Sequence, residues 1–227
     1  MSTSRPGPLV AGLVVAGLLL SGCGSARPGV AAQVGDERIT VREVDQLAQD
    51  YCQAFEEQFE GNGEVVPHRY LRGGILGLIT RRTIAEQLAE QYAVEPGDVY
   101  DDKVSQVEQS VQALPDEVHE AIITVETASA YVEAIQAAVG ERLLDEEGVT
   151  SAKYTEQVAR GERAFADFVA EEGVEVDPQY GIAVVDGQVT RVDTSLSYAL
   201  SDDALKGGAE QPDPAYADSL PDAHRCG

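Results

Sequence analysis

The sequence predicts a mainly α-helical protein with about five amphipathic helices and a small β element, built from strands in residues 31–39 and 182–192. Two observations lead to this fold class. Between residues 41 and 172, apolar side chains recur every three or four residues, the spacing of one face of an α-helix. On either side of this region, apolar residues alternate around Gly35-Asp36 and Asp186-Gly187, which is typical of short strands joined by tight turns.

An apolar run near the start of the chain precedes the predicted fold. Residues 9–20 are all Leu, Val, Ala or Gly. A run of this length is too short for a membrane-spanning helix, which needs roughly 20 apolar residues, and it fits the core of a signal peptide. The alternative is a buried core helix, but no polar residue marks the outer face that such a helix would have.

The run ends at Leu20-Ser21-Gly22-Cys23, which resembles the lipobox of bacterial lipoprotein signal peptides. The resemblance implies that residues 1–22 are a signal peptide cleaved before Cys23. It also implies that Cys23 carries a thioether-linked diacylglyceryl group and that its freed amine is open to acylation. One acyl chain holds a protein marginally and two anchor it stably. We therefore predict a lipid anchor on the extracytoplasmic face of the cell membrane, with residues 23–30 as the lipidated linker.

The first predicted helix follows the first hairpin directly. Thr40 and Glu43 are spaced as a capping box, in which each side chain accepts a hydrogen bond from the other residue's backbone N–H. One face of this helix carries an apolar stripe of Val44, Leu47, Tyr51, Phe55 and Phe59.

Proline and glycine residues delimit the remaining helices. Pro67 lies near the start of the second helix, and Pro96 and Pro115 bound the third. The segment that ends at Gly148 is either one long helix or two with a break, and the last helix is predicted from about residue 150 to residue 172. The helical domain is expected to span residues 31–200.

The chain is strongly acidic, with 40 Asp and Glu residues against 16 Lys and Arg and a formal net charge of −24. Nucleic acid needs a basic patch for its phosphates, so this composition excludes it as a partner. It also argues against a protein lying flat on an anionic membrane and favours basic or neutral partners. Residues 201–227, rich in Asp, Ala, Pro and Gly, are predicted to be a flexible, poorly packed acidic tail.

Two cysteines remain when Cys23 is lipidated. Disulfides persist in exported proteins, so we predict that Cys52 and Cys226 form one and attach the C-terminus to the first helix. The alternative is two free thiols, with Cys52 as a small buried residue.

No recognised catalytic or cofactor motif occurs in the sequence. His119-Glu120 begins like a zinc-protease helix, but Ile123 stands where the second histidine is required. No GxSxG, Walker or GxGxxG motif and no CxxC pair is present. We therefore predict no catalytic, metal-binding or cofactor-binding residues, and surface positions for His68, His119 and His224.

Two short motifs carry a resemblance to a known family. VGDERITVREV precedes the helices, and VEVDPQYG follows the last one. The whole order resembles the N-terminal domain of SurA-type foldases in their actinobacterial lipoprotein form, over roughly residues 30–200. Val34, Gly35 and Ile39 match the first motif of that family. Its second motif is matched by Val176, Pro178, Tyr180 and Gly181, although Gln179 stands where arginine is usual.

The resemblance implies a chaperone-like protein that binds unfolded or extended segments of exported proteins without ATP. Full-length relatives add a parvulin-type prolyl isomerase module, but only 54 residues follow Gly173, with one histidine among them. The sequence therefore indicates that isomerase activity is missing. The competing hypothesis is a non-catalytic envelope lipoprotein that uses the same scaffold to bind one specific partner. Neither hypothesis fixes the oligomeric state.

Overall fold

A computed structural model describes residues 27–192, 201–207, 209, 211 and 213–227. The predicted signal peptide and residues 23–26 of the predicted linker, including Cys23, lie outside these residues. The described part of the chain is mainly helical, as predicted. It contains five long helices and two short ones: α1 (Val41–Asn62), α2 (His68–Tyr92), α3 (Asp98–Val111), α4 (Asp116–Glu146), α5 (Tyr154–Glu172), α6 (Asp202–Gly207) and α7 (Pro214–Ser219).

Seven short strands form three small antiparallel sheets in the described residues. The strands are β1 (Val30–Val34), β2 (Glu37–Thr40), β3 (Val66–Pro67), β4 (Val174–Val176), β5 (Ile182–Val185), β6 (Gln188–Arg191) and β7 (Arg225–Cys226). The sheets are β2-β1-β4, β3-β7 and β5-β6.

The strands predicted in residues 31–39 and 182–192 do not form one β element. The predicted hairpins exist as β1-β2 and β5-β6, but they lie in different sheets. The strand that pairs with β1 is β4, which directly follows α5. The N–H of Asp177 extends this pairing by donating to the carbonyl oxygen of Ala31 at 2.8 Å.

The predicted start of α1 is confirmed. The N–H of Glu43 donates to Thr40 Oγ1 at 3.1 Å, and the N–H of Thr40 donates to the Glu43 carboxylate at 3.4 Å. This capping box satisfies two backbone donors that a helix start leaves unpaired. It fixes the direction in which α1 leaves the hairpin.

Helix α2 lies at the centre of the packing. Its first half packs with the β1-β2 hairpin and α1 in one apolar cluster, where Leu76 is fully buried. Its second half packs with α4, α5 and β1 in a larger cluster around Ile84 and Phe165. Helix α2 therefore contributes to both apolar clusters and links the two parts of the fold.

Helices α4 and α5 are in backbone contact where they cross. A Cβ atom added to Gly140 would overlap the carbonyl oxygen of Gln157, and one added to Gly161 would overlap that of Gln136. Both glycines are buried. Only glycine therefore allows the two helices to approach this closely. The sequence left open whether the segment ending at Gly148 is one helix or two. The structure shows one unbroken helix, α4, from Asp116 to Glu146.

The last residues of the chain depart from the predicted poorly packed tail. We name residues 213–227 the C-terminal segment. Its strand β7 pairs with β3, and Ala217 and Cys226 are buried. The Asp213 side chain caps α7 by accepting from the N–H of Tyr216 at 2.9 Å. The tail of residues 201–227 was predicted to be poorly packed because it is rich in Asp, Ala, Pro and Gly. The structure instead packs its last residues against β3 and α1.

Candidate functional site

Of the three predicted site cysteines, the structure describes two. Cys23, the predicted lipidation site, lies outside the described residues. Cys52 on α1 and Cys226 on β7 form a disulfide with a Cα–Cα distance of 5.6 Å. The bond joins the C-terminal segment to the middle of α1, 174 residues earlier in the chain.

The C-terminal segment also covers the start of α2. His68 is half-buried there, and burial is the main reason that its pKa lies below the ordinary value. A hydrogen bond with the Ala223 backbone acts in the opposite direction, whereas the charges of His224 and Arg72 lower the pKa further. His68 was predicted to be a surface residue, and the structure instead places it at this internal contact.

The lowered pKa of His68 predicts a pH dependence of stability. A histidine ionises near pH 6.5 in the unfolded chain, so acidification protonates the unfolded state before the folded one. The folded state therefore loses stability as the pH falls below about 6.5. We expect the free energy of unfolding to fall less between neutral pH and pH 5 in a His68→Gln variant than in the native protein. Urea unfolding at the two pH values checks this, and an equal loss in both proteins would show that His68 has no part in it.

A second candidate site lies where α1, α3 and α4 meet. Buried Val107, Val111 and Ile122 form a small apolar cluster that is separate from the main core. Partly exposed side chains lie over it, and we call them the three-helix surface: Tyr51, Ala54 and Phe55 of α1, Leu114, and Ile123 of α4. The stripe on α1 was interpreted as a core face. Its first residue, Val44, is buried, but Tyr51 and Phe55 are only half-buried.

The aromatic pair of the three-helix surface is held in place by α4. The rings of Tyr51 and Phe55 lie 4.7 Å apart between centroids. The Tyr51 hydroxyl donates to the Glu126 carboxylate at 2.8 Å. Burial, and then this hydrogen bond and the negative charge of Glu126, raise the pKa of Tyr51. Tyr51 therefore stays a neutral hydrogen-bond donor at every physiological pH.

Acidic side chains dominate the helices that form the three-helix surface. Together α1, α3 and α4 carry 18 Asp and Glu residues and three Lys and Arg residues. Helix α2 has the opposite balance, with four arginines and two glutamates. Several arginines lie over aromatic rings: Arg72 over Tyr180, Arg81 over Phe165, Arg82 over Tyr131 and Arg191 over Tyr70. These four arginines are half-buried, so their positive charges lie beside aromatic rings of the fold.

A shallow cavity of about 490 Å³ lies beside the C-terminal end of α4. Its lining includes Glu95, Glu141 and Asp145. Across the described ranges, no group of three or more His, Cys, Asp or Glu residues has a metal-binding arrangement. His119 is half-buried on α4, where its Nε2 lies 2.9 Å from the carbonyl oxygen of Leu114. The cavity is therefore lined by carboxylates, and we assign no catalytic or metal site to it.

None of the helices in the described part of the chain is both long enough and apolar enough to cross a membrane. Comparison with known proteins found no matching family model, curated protein or solved structure.

Proposed function

We propose that this protein is a lipid-anchored, extracytoplasmic chaperone-like protein of the SurA N-terminal type. It binds unfolded or extended segments of exported proteins and needs no ATP. The observation that carries the proposal is the three-helix surface, where aromatic and aliphatic side chains stay partly exposed beside a small apolar cluster. Partly exposed apolar groups between helices are the kind of surface that holds extended or helical peptide segments.

The weak attachment of α3 supports this role. Only Val107 and Val111 of its 14 residues are buried, and Val99 is 73% exposed. A helix with few buried contacts opens at a lower free-energy cost than the core. Displacement of α3 exposes both valines and Ile122, which enlarges the three-helix surface for a client segment.

The acidic surroundings define which clients bind. Carboxylates on α1, α3 and α4 attract segments that carry Lys or Arg beside apolar residues. The same charges keep the protein and its client complex in solution by mutual repulsion. In this proposal binding is weak and broad, and the client is released by folding or hand-over.

The lipid anchor places this activity at the membrane. In the proposal, Cys23 carries the diacylglyceryl group, and two or more acyl chains hold the protein stably. No catalytic step is part of this proposal.

The second candidate function is binding of one specific folded partner in the envelope. It is supported by the scattered positions of the exposed large apolar side chains. Among the described residues these are Val99, Val149, Tyr154, Val185 and Leu205, which lie on different elements. Isolated exposed apolar residues are normal on a monomer and do not form a client-binding patch. The two functions therefore differ in whether the three-helix surface contacts unfolded chains.

Site-specific photo-crosslinking tests the proposed function. Phe55 is replaced by p-benzoylphenylalanine in one variant, and Tyr154 on α5, which is 47% exposed, is replaced in a matched control. Both variants are irradiated with chemically unfolded and with folded client proteins. We expect crosslinks from position 55 to several unfolded clients, well above those from position 154. Equal crosslinking from both positions would contradict the proposed site, and crosslinking to one folded partner alone would favour the second function.

A further inference from the structure

We propose that the C-terminal segment is a redox-controlled cover over one end of the client-binding surface. Reduction of the disulfide between Cys52 and Cys226 releases this segment and uncovers Phe59, and an extended client segment that carries Lys or Arg takes its place. The inference rests on the proposed function, because it extends the three-helix surface along α1. It adds how access to that surface is controlled.

The disulfide lies on the same side of α1 as the aromatic side chains of the three-helix surface. Tyr51, Phe55 and Phe59 follow one another at intervals of four residues, and side chains at this spacing are neighbours on a helix. Together with Cys52 they span an arc of about 100° around the helix axis. The bond to Cys226 therefore attaches the C-terminal segment beside the half-buried aromatic pair.

The end of the segment lies on the next aromatic residue of this row. A Cβ atom added to Gly227 would lie 2.8 Å from Phe59 Cβ and would overlap the carbonyl oxygen of Glu64. Gly227 is thus in contact with the last turn of α1. Phe55 and Phe59 are two of four phenylalanines in the chain, and the other two are buried in the main core. Release of the segment therefore places a second phenylalanine beside Phe55 on the client-binding surface.

The non-covalent contacts of the segment are few compared with those of the core. Its strand β7 pairs with β3 over two residues, and His68 forms a hydrogen bond with the Ala223 backbone. Within residues 213–227, burial is limited to Ala217 and Cys226. A segment with so little burial opens at a much lower free-energy cost than the core. The disulfide therefore decides whether the segment stays in place.

The segment shows which kind of occupant this surface takes. Arg225 and Cys226 lie against β3 as an extended strand, so an extended backbone fits beside α1. The last turns of α1 are acidic: Glu56, Glu57 and Glu60 are exposed, and none of the described ion pairs includes them. Their charges attract Lys and Arg. The uncovered surface therefore favours extended client segments in which a basic residue stands next to an apolar one.

The opening step is a thiol–disulfide exchange with a protein dithiol outside the cell membrane. One thiolate of the dithiol attacks Cys52 Sγ, because Cys52 is half-buried whereas Cys226 is 1% exposed. The S–S bond breaks, and Cys226 leaves as a thiolate and takes up a proton. The second thiolate of the dithiol attacks the mixed disulfide and frees Cys52, which is protonated in turn. The dithiol is thereby oxidised to a disulfide, and its two electrons reduce the Cys52–Cys226 bond to two thiols.

The test uses residues 23–227 with Cys23→Ser, a chain that contains every described residue and in which Cys52 and Cys226 are the two cysteines present. It is compared in the oxidised form, in the form reduced with dithiothreitol, and as the C52S/C226S variant, which dithiothreitol does not change. Amide hydrogen exchange reports release of the segment. Photo-crosslinking from p-benzoylphenylalanine at position 59, with position 154 as the matched control, reports binding of a cysteine-free, Lys-rich unfolded client.

Reduction should make amide exchange in residues 213–227 at least about tenfold faster while α4 stays protected. Crosslinking from position 59 should rise at least about threefold on reduction, with no change from position 154. The C52S/C226S variant should behave like the reduced protein in both measurements. Unchanged exchange in residues 213–227, loss of protection in α4 as well, or equal crosslinking from position 59 in the two redox forms would overturn the proposal.

The same experiment separates this proposal from the proposed function. Crosslinks from position 55 that appear without any gain at position 59 on reduction would overturn the redox-controlled cover and leave the proposed function in place. A lack of crosslinks from position 55 in both redox forms would contradict the proposed function. The cover would then be decided by the redox dependence at position 59 alone.

Discussion

Replacing Gly161 with alanine is expected to destabilise the protein by about 3 kcal/mol or more, or to prevent folding. The added methyl group would overlap the carbonyl oxygen of Gln136 in the backbone of α4. A backbone atom cannot move aside as a flexible side chain does, so α4 and α5 must separate. Their separation opens the main core around Phe165, which is 1% exposed. Urea unfolding followed by circular dichroism measures the effect.

A matched substitution elsewhere separates this overlap from helix propensity. Gly74 also lies within a helix, but it is exposed, and an added Cβ meets no atom within 4 Å. A Gly74→Ala variant should therefore gain up to about 1 kcal/mol, since alanine favours helix more than glycine does. Equal and small effects at both positions would show that the two helices do not cross in backbone contact.

Removing the disulfide is the second change that is expected to destabilise the protein strongly. The bond closes a loop with a sequence separation of 174 residues. In the chain-entropy description, a loop of this length contributes about 5 kcal/mol by restricting the unfolded chain. A Cys52→Ser/Cys226→Ser double variant should therefore unfold about 10–20 °C below the native protein, given a shift of about 2–4 °C per kcal/mol for a protein of this size.

The C-terminal segment should detach first in that variant. Only two residues of β7 pair with β3, and the remaining described segment buries little besides Ala217 and Cys226. Amide hydrogen exchange should be faster in residues 213–227 than in α4 when the disulfide is absent. A Cys23→Ser variant is the control, because it removes a cysteine and keeps this bond. An unchanged melting temperature in the double variant would contradict the structural role of the disulfide.

Local sequence signals predicted most of the helical architecture. Thr40 and Glu43 set the start of α1 through a short-range capping box, and the structure shows both hydrogen bonds. Pro115 directly precedes α4, as the sequence indicated, although the choice between one helix and two after it was left open and the structure shows one. These features depend on residues close together in the chain, which is why sequence alone could place them.

Features that depend on long-range packing could not be predicted in the same way. Strand β4 has three residues, too few for its pattern to specify β1 as its partner. The predicted apolar stripe of α1 includes Val44, which is buried, and Phe55, which is partly exposed. Spacing defines a helix face, but which part of that face the other helices cover depends on where α2, α3 and α4 pack.

Suppression of aggregation tests the central claim most directly. A chemically unfolded, Lys-rich client is diluted into the soluble chain of residues 24–227, and light scattering is compared with that in an equally acidic inert protein. We expect suppression at a near-stoichiometric ratio, beyond that of the inert protein, and a weaker effect when Tyr51 and Phe55 are both replaced by alanine. Scattering equal to that of the inert protein across several unfolded clients would contradict a chaperone-like function and leave a single folded envelope partner as the better hypothesis.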